Sequence, residues 1–152
     1  MGLEHEFYLI PDTVNVNQIW KLRKNNNVIE SVRIHDDIIQ YIMDSLNWIP
    51  SKNPSTSGNL NRKGLNYYGE TLFEQQSSEK IIAIFTSWKD LFRNGPKVLK
   101  LRGNFVYGED DEDGEYEKLI INRDELINKI EKMITMAEKL SEGNFYLYHL
   151  GI

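Results

Sequence analysis

The stretch NRDELINKIEKMITMAEKLSEGNFYLYHLGI, residues 122–152, decides the fold class, because two hydrophobic periods follow one another within it. Leu126, Ile130, Met133, Ala137 and Leu140 recur every three or four residues, the spacing that gives an α-helix one apolar stripe. Asn122 with Glu125 three residues on predicts where the helix begins, since an N-cap side chain accepts from the free amides of the first turn. Gly143 predicts its end. Beyond it Phe145, Leu147 and His149 alternate with Tyr146, Tyr148 and Leu150, a period of two in which neither face is polar. Such a strand must be covered on both sides, so it is expected in the middle of a sheet or at an interface.

Outward from this pair the remaining elements follow by the same patterns. Glu6 to Ile10 and Val28 to Ile34 read as strands, the first ended by Pro11 and the second entered through KNNN at 24–27. Between them VNVNQIWKLRK has a period that settles nothing. Asp36 and Asp37 stand before Ile38, Ile39, Ile42, Met43 and Leu46, a helix with acids at the positive end of its dipole, closing before Pro50. SKNPSTSGNLNRKG, 51–64, has loop composition throughout, and LNYYGETLF after it reads as a strand. A second helix places Ile81, Ile84, Phe85, Trp88, Leu91 and Phe92 on one face and stops at Gly95 and Pro96. Leu99, Leu101, Phe105 and Tyr107 lead into an acidic turn and Tyr116, Leu119 and Ile121 lead out, a β-hairpin. Strands grouped at both ends without regular βαβ spacing predict one α+β domain over 1–152, a largely antiparallel sheet packed against two or three helices.

Composition narrows the function classes. At 152 residues, 40% hydrophobic and with 17 aromatic side chains, the chain can bury one core. The absence of cysteine removes disulfides, thiolate catalysis and cysteine-held metals, and fits a reducing cytoplasm, the expected location. No apolar run approaches a membrane span. A net charge of −5, with the acids concentrated, opposes the counterion release that drives nucleic-acid binding, so neither nucleic acid nor membrane is an expected partner. A basic protein is.

Recognised catalytic and metal motifs are missing. PSTSGNLNRKG has Leu65 and Asn66 where a phosphate loop needs Lys and Ser or Thr, and there is no GxSxG or CxxC. The neighbourhoods of His5, His35 and His149 (EHE, IHDD, YHLG) could meet across strands as a zinc or iron site with Glu4, Glu6 or Asp36, yet they lack ligand spacing, and ordinary half-buried histidines are the plainer expectation. No cofactor is expected, and no residue is nominated as catalytic. Trp20, Trp48, Tyr67, Tyr68 and Trp88 could line a pocket or fill the core.

The acidic turn GEDDEDGEY, 108–116, holds Glu109, Asp110, Asp111, Glu112, Asp113 and Glu115. It fails as an EF-hand: with Gly114 as the loop glycine, Ile120 would stand where the bidentate carboxylate belongs. It remains a solvated tip, an adventitious calcium site or a docking patch for a basic partner. Tyr67 and Tyr68, adjacent in GLNYYGE, form a second candidate contact site, one of them expected to face solvent. In type, over the whole chain, with GLNYYGETLF, GEDDEDGEY and NFYLYHLGI as its distinctive segments, the sequence resembles the small bacterial immunity proteins of polymorphic toxin systems. The resemblance implies a non-catalytic module that neutralises a cognate toxin by binding it. The competing class is an enzyme or a binder of a small molecule or metal, with a pocket between sheet and helices around the histidines.

Overall fold

The computed structural model describes residues 3–14, 28–54, 61–109 and 113–152. Six strands form one antiparallel sheet in the order β2-β1-β8-β5-β3-β4: β1 (Glu4–Pro11), β2 (Glu30–His35), β3 (Pro50–Lys52), β4 (Asn61–Lys63), β5 (Glu70–Phe73) and β8 (Phe145–Leu150). A separate ribbon pairs β6 (Val98–Tyr107) with β7 (Gly114–Asn122). The helices are α1 (Asp36–Leu46), α2 (Ser78–Arg93) and α3 (Arg123–Ser141). The fold is α+β, with its helices packed on the sheet.

The predicted two-sided strand is central: β8 lies between β1 and β5. Its Leu147 faces the helices with Phe7, Leu9, Val32, Ile34 and Phe73, while Tyr148 packs with Ile10 and Leu72 on the other face. All five stripe residues of α3 are buried, and Asn122 Oδ1 accepts from the Glu125 amide at 3.0 Å as the cap predicts. Gly143 (φ 88°) and Asn144 (φ 70°) reverse the chain from α3 into β8, a left-handed pair that glycine and asparagine adopt most readily. No helix among the described residues is long and apolar enough to cross a membrane.

Several expectations need correction. The stretch 51–64 is not loop throughout: β3 and β4 pair across it and extend the sheet, with Ser51 buried and its hydroxyl donating to the Gly64 carbonyl at 2.7 Å. Those strands are three residues each, too short to show a period. LNYYG is a turn, and only Glu70–Phe73 is strand. Leu91, placed on the core face of α2, is 59% exposed, and Trp48, expected inside, is 61% exposed. Most of VNVNQIWKLRK, including Trp20, lies outside the described residues.

Candidate functional site

Two features stand out: a polar chain inside the sheet–helix layer, and the ribbon outside it. The inner chain follows from strand parity. His5 precedes Phe7 and Leu9 on the helix-facing side of β1, and His149 follows Leu147 on that side of β8. The register sets His149 beside Phe7 on one flank and Thr71 on the other, which brings the two imidazoles together with Nδ1 of His5 and Nε2 of His149 at 2.8 Å. Both rings are completely buried.

Asp36, the first residue of α1, meets His5 Nε2 with its Oδ1 at 2.9 Å. Gln40, one helical turn on, donates to Asp36 Oδ2 at 2.8 Å, and the Tyr67 hydroxyl donates to Asp36 Oδ1. At the other end His149 Nδ1 lies 3.1 Å from Thr71 Oγ1, which accepts from the Asn66 amide at 2.8 Å. With His149 neutral and Asp36 ionised, the hydrogen bonds of this chain can all run in one direction: Asn66 to Thr71, Thr71 to His149, His149 to His5, His5 to Asp36. Among the described residues no buried side-chain polar atom lacks a partner.

The electrostatics agree with that arrangement. Burial pushes His149 down to about 3, and a charge on the neighbouring His5 would act in the same direction. Burial alone would raise Asp36, but hydrogen bonds from Tyr67, His5 and Gln40 outweigh it and hold the carboxyl below its ordinary value. Tyr67 is pushed up to about 12 by burial and by its bond to the Asp36 carboxylate. A catalytic group must meet its substrate, and here the imidazoles are closed to solvent while the tyrosine is held protonated. Through Thr71 and Asp36 the polar chain bonds Asn66 and Tyr67 of the turn 64–69, which presents Tyr68 at 80% exposure.

Three sites named from sequence thus resolve differently. His5 and His149 meet, but they are fully buried rather than half-buried, and His35 stands apart as the N-cap of α1, its Nδ1 accepting from the Asp37 amide at 3.0 Å. Among the described residues no group of three His, Asp or Glu side chains is placed to hold a metal. Of the tyrosine pair, Tyr67 turns inward and Tyr68 outward. Of the acidic turn, Glu109, Asp113 and Glu115 are exposed, while Asp110, Asp111 and Glu112 lie outside the described residues.

The turn is pinned by the residues that follow β8: the Gly151 amide donates to the Gly69 carbonyl at 2.8 Å and that of Ile152 to the Tyr67 carbonyl at 3.1 Å. A Cβ on Gly151 would stand 2.2 Å from the Tyr67 carbonyl oxygen and 2.9 Å from that of Asn66, main-chain atoms that cannot swing aside. Gly151→Ala is therefore expected to cost about 1–3 kcal/mol, as overpacking does. A denaturant midpoint unchanged from wild type would show that the turn is not held there.

The ribbon is the outer feature. Among the described residues it holds six of the twelve exposed large apolar side chains, namely Val98, Phe105, Val106, Tyr107, Tyr116 and Ile120. Only its base, through Leu99 and Leu119, is buried. Seven carboxylates against three cations give residues 98–122 a net −4 of the chain's −5. Apolar hollows flank it, one of about 780 Å³ along Leu91, Val98 and Leu101 and one of about 620 Å³ along Arg102, Tyr116 and Ile120. Asn104 donates to Gln40 Oε1 and so ties the ribbon to the inner chain. No family model matches the sequence, and neither a curated protein nor a solved structure matches it.

Proposed function

We propose that the chain is a non-catalytic protein-binding module, an immunity protein that neutralises a basic toxin domain by direct contact through the β6–β7 ribbon. The observation that carries this reading is the coincidence of apolar exposure and negative charge on one projecting element. Isolated exposed apolar side chains are ordinary, but a cluster of them rimmed by charge marks an interaction surface. Opposite charge steers encounter, and desolvated aromatic side chains then hold the complex.

The two contributions separate kinetically. Replacing Glu109, Asp113 and Glu115 with Gln, Asn and Gln is expected to slow association with the basic partner and flatten its salt dependence, leaving dissociation nearly unchanged. Tyr107→Ser with Tyr116→Ser should instead speed dissociation. Surface plasmon resonance over a salt series reads both. Rates identical to wild type at low ionic strength, where charges act over about 30 Å before they are screened, would leave the turn as a solvated loop.

A further inference from the structure

The charges of the ribbon are segregated. Residues paired across an antiparallel ladder share a face, so the register Lys100↔Ile120, Arg102↔Lys118 and Phe105↔Tyr116 puts these six side chains together. The irregularity between Arg102 and Phe105 inserts one extra residue and keeps the two halves in phase. The Arg102 guanidinium lies over the Tyr116 ring, 4.5 Å from its centre, as a shared face requires. This face points away from the core, with Ile120 70%, Tyr107 73% and Phe105 45% exposed, whereas Leu99 and Leu119 point inward. All three cations of the ribbon lie on it, and the acids Glu109 and Asp113 flank its far end. The outer face is thus cationic along the shaft, aromatic in the middle and anionic at the tip.

We infer that this face docks onto the same face of a second copy, the two ribbons running antiparallel about a two-fold axis near Phe105. Counted along the ladder, with the extra residue taken up by the bulge, Arg102 lies two steps before Phe105 and Tyr107 two after, so the axis sets Arg102 of one copy against Tyr107 of the other and Lys100, two steps further out, at the level of Glu109. Lys118, which pairs with Arg102, is carried to the level of Gly114 at the start of the other copy's β7, next to Asp113. Each copy's cationic shaft meets its mate's anionic tip, and the symmetry makes the contact twice. Phe105, Tyr107 and Tyr116 are enclosed between the two pairs, where aromatic side chains contribute most. A second copy is the occupant because it carries the charge complement in register. The inference does not depend on the toxin reading. If both hold, a basic partner taking the tip displaces the second copy.

Sedimentation velocity of the full chain over a concentration series tests this. The expected result is a mass rising from one chain to two, the dimer weakening in high salt. K100E/R102E/K118E and E109K/D113K should each weaken the dimer at least tenfold, and an equimolar mixture of the two should dimerise more readily than either alone. Should a reversed chain lose its fold by circular dichroism, R102Q/K118Q replaces it, with weaker dimerisation expected. A wild-type chain that stays monomeric throughout in low salt, or a dimer that these substitutions leave intact, would overturn the inference.

Discussion

Lowering the pH from 6.5 toward 3 is expected to remove about 4–5 kcal/mol of folding stability through His149 alone. The unfolded chain protonates this imidazole near its ordinary 6.5, whereas the folded chain holds it neutral down to about 3. Between those values the unfolded state binds the extra proton, so stability is fully present above 6.5 and falls by about 1.4 kcal/mol for each unit of acidification. Asp36 adds to the loss at lower pH: its folded value lies below 3.8, so its contribution is present above 3.8 and disappears as the pH drops through the folded value. Urea denaturation at a series of pH values measures the slope. His149→Gln should be less stable at neutral pH, because His5 and Thr71 lose a fitted partner, yet it should show a flatter dependence below 6.5. The same slope in the variant would mean that the imidazole is not held neutral. Against a typical domain stability of about 5–15 kcal/mol, an effect of this size brings the protein near unfolding as the pH approaches 3.

Ile130→Ala is expected to cost about 2–5 kcal/mol. Ile130 is 1% exposed at the centre of the α3 stripe, where α3 packs against α2 and against β2 and β8 of the sheet. Its removal leaves a cavity lined by side chains anchored on separate elements, which cannot close together without moving a helix relative to the sheet. A shift in the urea midpoint at unchanged m-value is the expected readout. A negligible shift would take α3 out of the core.

Elements with a full period were legible in the sequence. Strand β8 and helix α3 came from unbroken patterns of two and of three-to-four residues, and the acidic tip came from composition. The sheet's far edge was not legible, because β3 and β4 are three residues each with no apolar alternation, held by main-chain pairing that leaves no mark on side-chain order. The inner chain was half legible. Alternation through His5, Phe7 and Leu9 already set His5 on the core side of its strand, and Leu147 with His149 did the same at the other end. That the two meet depends on the β1–β8 register between residues more than a hundred positions apart, which no local pattern encodes. Asp36 read as a helix-start acid favoured by the dipole, and its second role, accepting from His5, Tyr67 and Gln40, needed the same register. The aromatic–cationic face of the ribbon was concealed by the bulge, which shifts Phe105 out of the simple alternation running from Val98 to Arg102.

The most direct test of the ribbon as a docking element is a photo-crosslinking residue placed at Tyr107, which is 73% exposed, in the cell that encodes the protein, with the same residue at Leu3 (59% exposed) as control. The expected result is a covalent adduct from position 107, absent from position 3, between this chain and a basic protein whose toxicity the wild-type chain suppresses. No adduct at 107 beyond the chain's own dimer, or the same adducts from both positions, would contradict the assignment of the ribbon as the partner-binding surface.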